Sequence, residues 1–279
     1  MSSIAAPGPP PVLELGPEPG SVREWFRSLV DHREVLVAMA GKDFKVRYKR
    51  ATFGVLWAVA LPLLQSAVMI VVFSRVARFG DEGLDYTGYV LAGMIAWGFV
   101  GSTLPNAATA IVDGSSLTDK VWFPRALLVL SPVLANLIGL AISLAIVVLF
   151  QLVRQGVGLD LWLVAPGTVL LVLLVSGICL TAAALHVEFR DIRFMVQAGL
   201  LVLFYATPVL YPAAALGDLG EVARLVNPFV GVVGLFQAAI TNVPVDGTAV
   251  IATLVWTTVL LLIAVRLHRR NDRLFVDLL

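Results

Sequence analysis

Few residue groupings in this chain could support chemistry, and most of them fail on spacing. Gly41-Lys42 carries the dipeptide of a phosphate-binding loop. Leu36 stands where that loop needs its first glycine, and Asp43 where it needs Ser or Thr. ATP cannot be held by that route. The three histidines, His32, His186 and His268, are far apart, and no His-Glu-x-x-His occurs. The single cysteine, Cys179, can make neither an internal disulfide nor a Cys-rich zinc site. No cofactor and no metal is therefore expected on this chain. Asp81, Glu82, Asp85 and Asp160 are the acids available to a membrane-surface enzyme. Two short mixed-charge loops remain, DGSSLTDKVWFPRA (113–126) and HVEFRDIRF (186–194).

The elements that hold these loops are set by composition. The 279 residues are 59% hydrophobic and only 14% charged, and mean hydropathy is +0.91. A soluble domain carries about 25% charge. There is too little polar surface here for a water-soluble globule, so an all-α polytopic membrane protein is expected. Net charge is +1, which argues against a nucleic-acid partner. A bilayer core needs about 20 apolar residues as helix. Six stretches qualify: 54–74, 89–112, 126–153, 161–185, 194–212 and 248–265. None contains Asp, Glu, Lys, Arg or His. Proton-coupled carriers and intramembrane enzymes place such groups at depth. Their absence points to a transport protein whose energy comes from a partner subunit.

A seventh apolar stretch, 228–245, opens at Asn227-Pro228 and closes at Pro244 and Asp246-Gly247. It is too short to cross comfortably and reads as a re-entrant or interfacial hairpin arm, an element that needs burial in protein. The basic residues agree. With both termini cytoplasmic and six spans, sixteen of the 20 Lys and Arg fall inside; a seventh span would leave twelve. Residues 54–265 form the six-span domain in this reading, and 266–279 a cytoplasmic tail. The plasma (inner) membrane is the expected location.

The first 20 residues contain six prolines and no basic residue. They lack the n-region and h-region of a signal peptide and read as a disordered cytoplasmic tail. Residues 21–53 read as an amphipathic interface helix followed by a basic linker. Ser21 and Glu24 have capping-box spacing. Val22, Trp25, Phe26, Leu29 and Val30 share one helical face, suited to membrane lipids. The run KDFKVRYKR (42–50) would sit at the anionic inner leaflet. The loops at 113–126 and 186–194 are wedged between helix ends and would move with them. Each reads either as a docking element for a partner or as an ordinary solvated connector.

Several segments, in order, resemble one family. They are GKDFKVRYKRATFGVLWAVALPLL (41–64), VLAGMIAWGFV (90–100), LTDKVWFPRALLVLSPVLANLI (117–138), FRDIRF (189–194), YATPVLYP (205–212) and NPFVGVVGLFQAAI (227–240). Together they resemble the membrane subunit of an ABC-2 (type V) exporter of the polysaccharide, O-antigen, teichoic-acid or galactan class. The resemblance implies a homodimer of six-span subunits, paired with two copies of a separate nucleotide-binding subunit that carries ATP and Mg. It implies that Lys120, Phe123, Pro124 and Arg125, with Glu188, Arg190 and Asp191, couple to that ATPase. The re-entrant segment, with Asn227, Pro228, Phe229 and Gln237, would form an outer gate. Many members carry Arg where Gln237 stands. The implied substrate is a lipid-linked glycan moved outward.

Sugars present C–H faces that pack on aromatic rings. Tyr86, Tyr89, Trp97, Phe99, Phe204, Tyr205, Tyr211 and Phe229 are the candidate conduit lining. The alternative is an interfacial aromatic belt, which suits Tyr86, Tyr89 and Tyr211 best; Phe204 and Tyr205 lie deeper. Two other functions stay open: export of small hydrophobic molecules on the same fold, and a membrane enzyme acting on lipid-linked sugar through the acids named above.

Overall fold

The computed structural model describes residues 21–49, 52–76, 85–118, 123–155, 159–241 and 243–271. The tail read over 1–20, Lys120, Asp81 and Glu82 lie outside these residues, as does the chain beyond 271. The described residues are all-helical, with no strand among them. The helices are α1 (Val22–Asp31), α2 (Arg33–Tyr48), α3 (Trp57–Val76), α4 (Tyr86–Asp113), α5 (Ser115–Thr118), α6 (Ala126–Gln155), α7 (Val164–Glu188), α8 (Ile192–Ala206), α9 (Asp218–Val226), α10 (Phe229–Thr241) and α11 (Gly247–Asn271).

Four segments are long and apolar enough to cross a bilayer: Tyr86–Asp113, Ala126–Val153, Asp160–Glu188 and Gly247–Arg270. The bent pair α9–α10 makes a fifth if counted as one span. Two segments expected to span form shorter apolar helices, Ala60–Arg75 and Ile192–Ala206. The physical reason is clear for α8. Pro208 has no N–H and disfavours helical backbone at the residue before it. Thr207 is accordingly extended, at ψ 135°. The 15 residues of α8 rise only about 23 Å at 1.5 Å each, short of a hydrocarbon core of about 30 Å.

α4 is the central helix. It packs on α6, α7, α10, α8 and α3, while α11 closes the other side of α7 and α10. Small residues allow this approach. A Cβ on Gly93 of α4 would lie 3.0 Å from Gln237 Nε2 and 3.1 Å from Val209 O. α10 is buried along nearly its whole length, whereas α8 has no fully buried residue. Packing rather than a hydrophobic effect must hold such apolar helices together in lipid, and small residues are what permit it.

The N-terminal region departs from the linker expected after the first helix. The capping box forms: Ser21 N donates to Glu24 Oε2 at 2.7 Å and Glu24 N to Ser21 Oγ at 3.2 Å. The chain breaks at His32 and continues as helix α2. The apolar face of α1 divides its work. Trp25 and Leu29 pack onto the core, and Val22, Phe26 and Val30 stay exposed. α2 lies along α6 and is fastened there by polar side chains. Ser131 Oγ donates to Asp43 Oδ2 at 2.6 Å, and Arg47 donates to Asn136 Oδ1. Asn136 in turn donates to Thr103 Oγ1 at 3.0 Å and Ser102 O at 3.2 Å on α4. Asn136 lies ten residues into α6, about 15 Å along its axis. A charged residue of α2 thus lies alongside α6, a helix long and apolar enough to span.

Candidate functional site

Tyr86 of α4, the end of α8 and the bend before α10 meet at one end of the bundle, here termed the distal end. The segment after α8, Thr207–Tyr211, is not helical yet is buried, with Val209 and Leu210 almost fully enclosed. Pro208 breaks the ladder, so its neighbours' carbonyls need other donors. Side chains supply them. Tyr86 OH donates to Leu210 O at 2.7 Å. Tyr89 OH shares its proton between Pro208 O and Tyr211 O, each at 3.1 Å. Gln237 Nε2 donates to Pro208 O at 2.8 Å. Asn227 Nδ2 reaches Thr207 Oγ1 at 2.8 Å and Ala206 O at 3.2 Å. Irregular backbone at such depth is tolerated where protein satisfies it, and leaving one carbonyl bare would cost about 1–3 kcal/mol.

Asn227 also shapes the bend. Its Oδ1 accepts from Phe229 N at 3.0 Å, opening α10. α9 and α10 meet there at 103°. Thr253 of α11 holds the far side, with Oγ1 2.9 Å from Pro228 O. A cavity of about 220 Å³ lies beside the bend, lined in part by Pro208, Ala214, Gly217, Val230, Arg224 and Asp246. Arg224 pairs with Glu221 at 3.2 Å and Asp246 at 3.6 Å, tying α9 to the start of α11.

This geometry corrects two sequence expectations. Tyr86 and Tyr89 are 5% exposed, so they are not belt anchors; they pin the broken segment. Gln237 is 3% exposed and points into the subunit, not into an open mouth. Of the conduit candidates, Trp97 and Phe99 are core residues of the single chain. Trp97 lies between Phe204, tilted at 5.6 Å, and Phe229, edge-to-face at 5.3 Å, ring centre to ring centre. Phe204 is half-buried and touches Tyr205 at 5.2 Å. Tyr205 is 58% exposed, and Tyr211 OH donates to its carbonyl. Only Phe204, Tyr205 and Tyr211 retain surface for a ligand. Asp85, one of the enzyme-type acids, caps α4 by accepting from Gly88 N at 3.2 Å.

The opposite, proximal end carries both mixed-charge loops. Phe123 is buried with Leu127 and Leu128 against Leu29, Val35, Leu36 and Met39. Pro124 is buried and Arg125 half-buried. Phe123 and Pro124 therefore do not present a surface; Phe123, with Leu127 and Leu128, fastens α1 and α2 to α6. The second loop is different. Only Phe189–Asp191 separates α7 from α8, closed by Phe189 N to Leu185 O at 2.8 Å and Ile192 N to Phe189 O at 3.1 Å. Glu188, Arg190, Asp191 and Arg193 are exposed together with Phe189, Phe194 and Met195. The Arg193 guanidinium lies 4.4 Å from the centre of the Phe194 ring. Exposed aromatics among charges, on a stiff two-helix corner, make a surface suited to docking.

Sequence reasoning missed Asn136, Ser131, Thr207 and Thr253 as fastening residues. A polar residue in an apolar stretch near a proline was the available signal for Ser131, Asn136 and Thr207; Thr253 carried none. No group of three or more His, Cys, Asp or Glu with metal-site geometry occurs among the described residues.

A polytopic all-helical bundle with a bent helix pair is an architecture suited to a transporter membrane subunit. The chain matches the ABC-2 type transporter family over residues 34–241 and belongs to it. It is similar to the O-antigen export system permease protein RfbA of Myxococcus xanthus, at 30% identity over 222 residues, 76% of this chain and 82% of that protein. Two proteins of the same description from Klebsiella pneumoniae are 29% and 30% identical over 181 and 183 residues, 64% of this chain and 69% of theirs. The chain is thus a membrane-embedded ABC-2 permease, a transport subunit related to O-antigen export permeases.

Proposed function

We propose that this protein is the membrane-spanning half of an ATP-driven exporter that moves a lipid-linked polysaccharide outward across the plasma membrane. The observation that carries this reading is the similarity to O-antigen export permeases across three quarters of the chain. The glycan is of the O-antigen, teichoic-acid or galactan kind. Two copies form a homodimer in this reading, and two copies of a separate ATPase subunit hydrolyse ATP with Mg. Both termini face the cytoplasm, α3 and α8 complete a set of six spans, and α9–α10 is a re-entrant hairpin at the outer face. The proximal end then faces the ATPase. Its exposed corner, Glu188, Arg190 and Asp191 with Phe189, takes the force of ATP binding and passes it to α7 and α8. Lys120 and Arg125 would join from the other loop, with Phe123 and Pro124 acting through α2. At the distal end, the pinned segment after α8 couples that motion to the Asn227-Pro228 bend, which serves as the gate. Tyr205 and Phe204 supply ring faces for sliding sugars, which need no fixed charge.

The test is co-purification from native membrane followed by ATPase assay. A nucleotide-binding subunit should co-purify. Arg190→Ala with Asp191→Ala should uncouple its turnover from transport or break the assembly. Depleting the permease should leave lipid-linked glycan on the cytoplasmic side. A chain that purifies alone, with no associated ATPase and normal surface glycan after depletion, would sink the proposal.

A further inference from the structure

The two faces of α2 are unlike. One is fastened to α6 through Asp43 and Arg47. The other borders a groove of about 770 Å³ between α2 and the turn at Gly54. Its floor is apolar, formed by Val37, Ala38, Gly41, Phe44 and Val46, and its edge carries Lys42, Lys45 and Lys49. These lysines fall at i, i+3 and i+7, so they span about 10.5 Å along the helix. None of them has an ion-pair partner among the described residues. The one acid between residues 35 and 49, Asp43, is engaged by Ser131 on the opposite face. α6, which α2 flanks, is long and apolar enough to span, so the groove lies beside a helix suited to the membrane.

An apolar channel edged by three uncompensated ammonium groups matches an amphiphile with a phosphate head. We propose that this groove binds one anionic phospholipid of the adjoining leaflet. Lys42, Lys45 and Lys49 hold its phosphate, and an acyl chain lies over Val37, Gly41 and Val46. The bound lipid neutralises the charge of α2 and seats it against α6. The proposal requires only that the chain is embedded in a membrane, and is independent of the substrate assigned above.

The experiment uses the full-length protein in phosphatidylcholine nanodiscs with a rising fraction of phosphatidylglycerol, with retained lipid counted by native mass spectrometry. The wild type should retain phosphatidylglycerol in preference to phosphatidylcholine. Lys42→Gln/Lys45→Gln/Lys49→Gln should weaken retention about a hundredfold, at the usual contribution of a basic residue near an anionic surface. Arg23→Gln/Arg27→Gln/Arg33→Gln removes the same charge elsewhere and should retain lipid as the wild type does. Gly41→Phe tests the floor without altering charge. A Cβ at Gly41 meets nothing within 4 Å, so the side chain can start into the groove, and its ring should compete with the lipid for that space. Equal retention by the lysine variant, equal loss in the arginine variant, or retention of a prenyl phosphate with no phosphatidylglycerol would each overturn the proposal.

Discussion

Gly231 sits where α10 presses on α11, and a single methyl group there should separate the two helices. A Cβ at this position would lie 2.6 Å from Thr253 Oγ1 and closer still to the Ala249 carbonyl. The obstacle is helix backbone, which cannot rotate away as a side-chain tip can. Ordinary contact distance requires the helices to part by about 1 Å, and close-packed interiors resist such a shift. Overpacking of this kind costs about 1–3 kcal/mol. The same displacement pulls Thr253 Oγ1 from Pro228 O, now at 2.9 Å, and baring that buried carbonyl adds about 1–3 kcal/mol. Gly231→Ala should therefore destabilise by about 2–6 kcal/mol and lower the melting temperature on the order of 5–20 °C. Gly234→Ala is the control. It is one turn further along the same helix, and its Cβ meets nothing within 4 Å. Replacing that helical glycine should instead gain about 0.5–1 kcal/mol. The assay is thermal unfolding of the purified protein followed by tryptophan fluorescence, to which Trp97 contributes from its place 5.3 Å from Phe229 on α10. If both variants melt with the wild type, α10 and α11 are not in the close register described, and the account of the bend fails with it.

Other consequences are open to measurement. Tyr89→Phe should cost about 1–3 kcal/mol by baring Tyr211 O; combined with Gln237→Leu the losses should be non-additive, because Pro208 O loses its last side-chain donor only in the double variant. Phe123→Ala should cost about 3–5 kcal/mol and raise hydrogen exchange in α2 ahead of the spans, since the ring joins α2 to α6; unchanged exchange would remove its fastening role. Tyr205→Ala should leave stability within about 0.5 kcal/mol, its ring being largely exposed, yet slow glycan export; normal export would remove its conduit role.

Much of this architecture is legible in the sequence, for reasons that differ by element. The stretches 126–153, 161–185 and 248–265 within α6, α7 and α11 are long apolar runs without Asp, Glu, Lys, Arg or His, and as helices such runs satisfy their own backbone in lipid. The capping box at Ser21 and Glu24 is local, and so is its reading. The proline at 208 marks a break, but whether a break ends a span or merely kinks it depends on donors far away in the chain. Tyr86 and Tyr89 illustrate the difficulty. Tyrosine near a helix end has a ready interfacial explanation, and only the fold places their hydroxyls against carbonyls more than a hundred residues later. Phe123 belongs to a loop with docking character in sequence, yet the packing of α2 buries it.

The sequence by itself determined what solvent this chain inhabits and to which family it belongs. Composition and ordered motifs suffice for these, because bilayer energetics act on each segment alone. Only the tertiary structure decided which polar residues face inward. Asn136, Gln237 and the paired tyrosines gain their meaning from partners on other helices. The reason is that a backbone carbonyl freed by proline in an apolar medium must find a donor, and that donor is chosen by three-dimensional proximity rather than by sequence spacing.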